Sequence, residues 1–274
     1  MSKKTYYAKV LATTTLILFL GLALNLNSLY GQNGPDFVLA SDNEDPERTK
    51  NLQTLVEQMN VKGYDLKTLM EDPRFELYDG ITDRFTKSAE RKSPTFDQYK
   101  RILGYEAKMR NIQNFIESNR DQLIKAENEY GIPRYVIAAI IGVESDFGKN
   151  TGKYNPLNAY VSMIADNYRS EFATAQLEEL LKFTSDREMD VFELKSSYAG
   201  AMTFAQFIPY SLNRWWVGND LTSMENNILS VANYLAHFKN ITGSVERAVY
   251  RYNPSQLYTD AVLSLAADAE KMFD

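Results

Sequence analysis

One apolar stretch constrains the fold of this chain more than any other feature. Between Ile132 and Val143 every residue is apolar or glycine, except Arg134 and Tyr135. A helix that is apolar on all sides lies in the core of a protein. Pro133 suits the first turn of such a helix, where its missing N–H costs little. The sequence therefore predicts a helix buried in the core.

This helix carries a carboxylate, Glu144, at its far end, and Gly148 follows as a natural terminator. The C-terminal end of a helix is negative and disfavours an ionised carboxylate. Partial burial acts in the same direction, so both effects raise the pKa of Glu144. A carboxylic acid that stays protonated near neutral pH suits general acid catalysis of glycosidic cleavage. A solvated glutamate at a helix end is the alternative interpretation.

From about residue 46 the pattern is helical almost throughout. Asp65 can cap a short helix, and residues 95–131 indicate one or two long amphipathic helices. Further helices are predicted within 156–168, 169–186, 224–240, 244–253 and 255–273. No run of alternating strand residues and no internal repeat occurs, so we predict a mainly α fold. The predicted buried stripe of the amphipathic segment comprises Leu103, Tyr105, Met109, Ile112, Phe115 and Ile116.

Composition leaves carboxylates as the main side chains available for catalysis. The chain contains no cysteine, which excludes disulfides, thiolate metal sites and cysteine nucleophiles. Its single histidine, His237, excludes multi-histidine metal sites. We expect neither a cofactor nor a metal ion.

The N-terminus has the layout of an export signal. Residues 1–31 carry three lysines and no acidic residue, and an uncharged, leucine-rich run occupies residues 10–26. We predict a signal peptide or an uncleaved signal anchor over 1–31, followed by a polar tether over 32–45. Without 1–31 the formal charge falls from −6 to −9, which argues against nucleic-acid binding. The predicted location is the periplasm or cell envelope, with membrane contact only through an uncleaved N-terminal segment.

Three ordered segments resemble the B-type membrane-bound lytic murein transglycosylases, which are lysozyme-like enzymes that cleave peptidoglycan. They are "YGIPRYVIAAIIGVESDFGKNTGKYNPLNAYVSM" (130–163), "KSSYAGAMTFAQFIPYSL" (195–212) and "VYRYNPSQLYTDAVLSLA" (249–266). The resemblance runs from about residue 50 to the C-terminus. It implies a lytic transglycosylase domain over 46–274. Such a domain is a lysozyme-like, goblet-type helical catalytic domain, with its core from about residue 121 and an N-terminal helical extension.

The resemblance also assigns site residues one by one. Glu144 matches the catalytic acid and base, and Ser197 matches a serine that hydrogen-bonds that carboxylate. Gln206 matches a glutamine that lines the sugar groove. Tyr252 and Asn253 match a pair near the scissile bond, where they would orient the acetamido group, and Tyr258 matches a later groove tyrosine.

Two departures from the family pattern stand out. Thr203 replaces the usual glycine of a Gly-Ala-Met-Gly run, which would reshape the groove floor. Residues 213–227 are too short, and lack the alternating oxygen ligands, to form the EF-hand-like loop of many members.

The resemblance implies cleavage between N-acetylmuramic acid and N-acetylglucosamine by Glu144 alone, with a 1,6-anhydromuramyl product. A glycoside hydrolase normally needs two carboxylates, and Asp146 would point elsewhere on a helix. The partners implied are peptidoglycan glycan strands and proteins of cell-wall synthesis or turnover. A lysozyme-type muramidase and a non-catalytic peptidoglycan-binding envelope protein remain as alternatives.

Overall fold

The structure is a computed structural model that describes residues 45–89 and 94–273. The predicted signal segment, 1–31, and the predicted tether except Asp45 lie outside the described residues. Within the described ranges, no helix is both long enough and apolar enough to cross a membrane.

The described residues are mainly α-helical and contain no β-strand. The predicted mainly α fold is therefore confirmed. A short 3-10 helix covers Val191–Glu193. The α-helices are α1 Pro46–Val61, α2 Leu66–Met70, α3 Ile81–Ala89, α4 Phe96–Leu103, α5 Tyr105–Ser118, α6 Arg120–Tyr130, α7 Arg134–Ser145, α8 Pro156–Ala165, α9 Ser170–Asp186, α10 Pro209–Trp215, α11 Met224–Thr242, α12 Val245–Tyr252 and α13 Gln256–Glu270.

Local signals fix the ends of the first helices. Asp45 caps α1 by accepting a hydrogen bond from the Glu47 N–H at 2.9 Å. Asp65 caps α2 as predicted, with its Oδ1 3.1 Å from the Thr68 nitrogen. Each carboxylate satisfies an N–H that the first helical turn leaves free.

The segment 95–131 forms three helices, α4 to α6, where one or two were predicted. Gly104 adopts a left-handed φ of 67°, which ends α4 and redirects the chain into α5. Asn119 separates α5 from α6. The predicted stripe is otherwise correct: Leu103, Tyr105, Ile112, Phe115 and Ile116 are buried and Met109 is half-buried.

The apolar stretch forms α7, and every side chain from Tyr135 to Ser145 is buried. Four helices, α5, α6, α11 and α13, pack against it. In this arrangement the C-terminal end of α7, which carries Glu144, lies close to the start of α13 and to α5. The central helix thus sets the position of the acid.

The loop between the 3-10 helix and α10 is held by isolated antiparallel bridges. They join Tyr154 to Ser196, Ser196 to Met202, and Met202 to Phe207. Within this loop, Gly200 has φ 79°, and a Cβ there would lie 2.2 Å from the Tyr160 ring. Only glycine fits this approach.

Candidate active site

Glu144 lies in the last turn of α7, as predicted, but the helix ends in another way than expected. Asp146, with φ 50°, occupies the left-handed position that was predicted for Gly148. Phe147 is also left-handed, with φ 60°. Its ring packs directly on Gly142, where an added Cβ would lie 2.6 Å from the Phe147 ring carbons. Close ring packing on a glycine therefore holds a backbone turn that non-glycine residues rarely adopt.

Glu144 is 4% exposed. Burial raises the pKa of its carboxyl group to about 7. A hydrogen bond from Tyr258 and the positive charge of Lys108 favour the ionised form and limit this rise. The group is therefore close to half protonated near neutral pH, so it can donate a proton in one step and accept one in the next.

Tyr258 lies in the first turn of α13, where Ser255 Oγ accepts from its backbone N–H at 3.3 Å. Its side chain is fully buried, and its hydroxyl donates to Glu144 Oε1 at 2.6 Å. Burial, followed by the Glu144 charge, raises the pKa of Tyr258 well above its ordinary value, so the phenol stays a donor. The structure thus places the Tyr258 hydroxyl directly on the Glu144 carboxyl group.

Ser197 was expected to make that hydrogen bond, and the structure gives it a different contact. Its Oγ accepts from the Ala201 N–H at 3.2 Å, and its backbone N–H donates to the Ala201 carbonyl at 2.8 Å. The hydrogen bonds of the described residues do not join Ser197 to Glu144. Ser197 is committed to the turn around Gly200, and Tyr258 supplies the donor that sequence comparison assigned to Ser197.

Gln206 is buried and has a left-handed φ of 51°. Its Nε2 donates to the Thr203 carbonyl at 2.9 Å, which fixes the amide plane. Its Oε1 is buried without a hydrogen-bond partner. A buried amide oxygen left free in this way is a ready acceptor for a ligand O–H or N–H.

Tyr252 and Asn253 lie where α12 ends. The Tyr252 hydroxyl donates to the Ala205 carbonyl at 2.6 Å, which ties this helix end to the loop that carries Gln206. Burial and the Glu144 charge raise the pKa of Tyr252 well above its ordinary value. Asn253 is 4% exposed, and its Oδ1 is a second buried oxygen without a partner.

Two residues near the acid were missed by sequence reasoning. Tyr99 on α4 is buried, and burial together with the Glu144 charge raises its pKa. Lys108 on α5 is also buried and lies within the apolar stripe, four residues before Ile112. That spacing was a signal, because a charged residue at a core position of an amphipathic helix needs a partner.

Thr203 stands where the resemblance led us to expect a glycine, and its backbone conformation is strained. Its φ is 68°, in the left-handed region that β-branched residues rarely adopt. Thr203 Oγ1 accepts from the Ala205 N–H at 3.2 Å, but that N–H also reaches Asn227 Oδ1 at 3.1 Å. The Thr203 hydrogen bond therefore offsets the strain only in part, because Asn227 Oδ1 can accept from the same N–H.

We predict that Thr203→Gly raises the free energy of unfolding by about 1 kcal/mol, because it relieves left-handed strain. Denaturant unfolding of the two proteins checks this. Thr203→Ala is the matched control, since it keeps a Cβ in the left-handed region and removes the hydroxyl and the γ-methyl group. A Thr203→Gly protein less stable than Thr203→Ala would contradict this account.

No cluster of three or more histidine, aspartate or glutamate side chains suited to a metal ion occurs in 45–89 and 94–273.

Comparison with known proteins identifies the family. Residues 44–244 match the family model described as the transglycosylase SLT domain. The chain is 37% identical over 135 residues to membrane-bound lytic murein transglycosylase B of Escherichia coli K12. That alignment covers 45% of this chain and 37% of the relative, so the chain matches well under half of the relative's length.

Solved structures share the fold. Soluble lytic transglycosylase SltB1 from Pseudomonas aeruginosa has a TM-score of 0.73 and 24% identity, over 82% of this chain and 99% of that chain. SltB3 from the same organism, in complex with NAG-NAM-pentapeptide, has a TM-score of 0.72 and 19% identity, over 82% and 80%. The family match spans most of the chain and agrees with the resemblance seen in its sequence segments. The protein belongs to the transglycosylase SLT domain family.

Proposed function

We propose that this protein is a lytic transglycosylase that cleaves the β-1,4 bond between N-acetylmuramic acid and N-acetylglucosamine in peptidoglycan. The observation that carries the proposal is Glu144, a buried carboxyl group that accepts a hydrogen bond from Tyr258 at 2.6 Å, and burial raises its pKa. The names of the relatives support the substrate class. One is a lytic murein transglycosylase, and another was solved with NAG-NAM-pentapeptide.

In the first step, protonated Glu144 donates its proton to the glycosidic oxygen. The C1–O bond of the muramyl residue breaks, and the N-acetylglucosamine side leaves with a new hydroxyl group. The substrate's own N-acetyl oxygen stabilises C1, as in substrate-assisted glycosidases. Glu144 is left ionised, and the Tyr258 hydroxyl at 2.6 Å stabilises that carboxylate.

In the second step, the Glu144 carboxylate accepts the proton of the muramyl C6 hydroxyl. The C6 oxygen bonds to C1, which closes the 1,6-anhydro ring and regenerates the protonated acid. No water is consumed. A pKa near working pH suits a group that must act as acid and then as base.

The remaining polar groups support substrate positioning. Gln206 Oε1 and Asn253 Oδ1 are buried acceptors without partners among the described residues. Both can receive hydrogen bonds from acetamido N–H or sugar hydroxyl groups, which would satisfy them on binding. The bond from Tyr252 to Ala205 would keep them in register.

The single-carboxylate route is favoured over the hydrolytic one. Among the described residues, Glu144 is the only buried carboxylate. Its pKa is set by burial, Tyr258 and Lys108, with no contribution from a second acid. A retaining hydrolase would need another carboxyl group about 5 Å away. The substrate and the predicted export signal together support action in the cell envelope.

Product analysis tests the proposal. Purified sacculi digested with the full-length protein are expected to release muropeptides with 1,6-anhydromuramyl ends, seen by mass spectrometry as loss of one water relative to reducing ends. Reducing ends would identify a muramidase instead. Binding to sacculi without release of any muropeptide would identify a binding protein and overturn the enzymatic proposal.

A further inference from the structure

Lys108 is a buried cation that the proposed mechanism does not use. It lies in the first turns of α5, the helix that packs against α7, and its side chain is 3% exposed. Lysine is almost never fully buried unless it is paired. Its burial therefore calls for an explanation in terms of the groups around it.

The partner of Lys108 is Asp146, at 3.6 Å between Nζ and Oδ1. Asp146 lies two residues after Glu144, in the left-handed position that ends α7. Its other oxygen lies 3.7 Å from Nζ of Lys149, whose side chain is 60% exposed. The buried pair thus connects α5 to the backbone turn that follows the acid.

Titratable groups on α4, α5, α12 and α13 interact electrostatically with Glu144. Lys108 is the positive charge that acts on the Glu144 carboxyl group, and Asp146 holds that charge in place. Burial lowers the pKa of Lys108, and the Asp146 and Glu144 charges act against that fall. The groups facing this region are Tyr99 from α4, Lys108 from α5, Tyr252 from α12, Tyr258 from α13, and Asp146 and Lys149 from the turn after α7.

We propose that Lys108, anchored by Asp146, is a positioning residue whose charge stabilises Glu144 whenever that carboxyl group has given up its proton. The inference rests on the proposed function, since the ionised acid is the product of the first step and the base of the second. Tyr258 on α13 holds one carboxylate oxygen by a hydrogen bond, and Lys108 adds a positive charge from α5. Lys108 touches no reacting atom in this scheme.

The test is the titration of the Glu144 carboxyl carbon, followed by NMR in full-length protein labelled with carboxyl-13C glutamate. In Lys108→Met we expect the midpoint to rise by about one pH unit, because a nearby positive charge has been removed. Lys108→Gln, which can still hydrogen-bond to Asp146, should show the same rise. Lys108→Arg, which keeps the charge, should restore a midpoint close to that of the wild type.

Lys149→Met is the matched control, because it removes an exposed charge from the same aspartate. Solvent screening should leave the Glu144 midpoint within about 0.3 units of the wild type. The inference is overturned if both neutral Lys108 variants titrate like the wild type, or if Lys149→Met shifts the midpoint equally. If Lys108→Met does not fold, Lys108→Gln decides the question.

Activity supplies a second readout. The upper pH limb of muropeptide release should move by the same amount as the titration midpoint, whereas a merely structural defect would lower the rate without moving the limb. Because the titration needs no substrate, its outcome is independent of the proposed function. If the wild-type protein releases no muropeptides but the Lys108 variants shift the Glu144 midpoint, the proposed enzymatic function is rejected. The electrostatic role of Lys108 is then retained.

Discussion

Replacing Glu144 by glutamine is expected to lower the release of anhydromuropeptides from sacculi by about a thousandfold, the scale of a lost general acid. Glutamine has nearly the same shape but carries no transferable proton. The initial rate of release, measured by chromatography of soluble muropeptides, checks the result. Glu57→Gln is the matched control, because Glu57 is an exposed glutamate on α1. Substantial activity in Glu144→Gln would remove Glu144 from the mechanism.

The same variant should be more stable than the wild type at high pH. The folded pKa of Glu144, about 7, exceeds its ordinary value of 4.5. The native state therefore binds this proton more tightly than the unfolded state. Its contribution to stability is complete below pH 4.5 and is lost as pH rises through 7. Above pH 8 we expect Glu144→Gln to unfold with a free energy about 3 kcal/mol higher than the wild type. Equal stabilities at all pH values would contradict the burial of the charge.

Replacing Tyr258 by phenylalanine is expected to have the second largest effect. The substitution removes the hydroxyl that donates to Glu144 Oε1 at 2.6 Å in a fully buried setting. Because a hydrogen bond to an ionised group is lost, kcat/KM should fall about 10- to 100-fold. Since that bond favours the ionised form, the upper pH limb should also move to higher pH. A pH profile of muropeptide release measures both changes.

Tyr234→Phe provides the control for a lost buried hydroxyl. Tyr234 is buried and donates to the Arg251 carbonyl at 2.7 Å, so its substitution removes a comparable hydrogen bond that does not involve Glu144. We expect a loss of about 1 kcal/mol in unfolding free energy and an unmoved pH profile. If both variants moved the profile alike, the special role of Tyr258 would be rejected.

Helix positions were largely predictable from the sequence because their signals are local. The capping role of Asp65 and the apolar stretch of α7 depend on neighbours within a few residues. The break at Gly104 was missed because the apolar stripe continues through it, although φ 67° ends the helix there. Two helices, α3 and α10, were not predicted, and both are short.

Only those features of the site that depend on residues close together in the sequence could be predicted. The position of Glu144 at the end of an apolar helix follows from the sequence, and so does the adjacency of Tyr252 and Asn253. The partner of the carboxylate does not, because Tyr258 is 114 residues away and only packing of α13 on α7 brings them together. Lys108 was overlooked for the same reason, since its partner Asp146 lies on another helix end.

The proton affinity of Glu144 is the claim on which the enzymatic proposal depends most directly. Titration of its carboxyl carbon in the wild-type protein, assigned by the signal missing from Glu144→Gln, measures it without substrate. We predict a midpoint close to pH 7. A midpoint close to 4.5, the ordinary value, would show a solvated carboxylate and contradict the account.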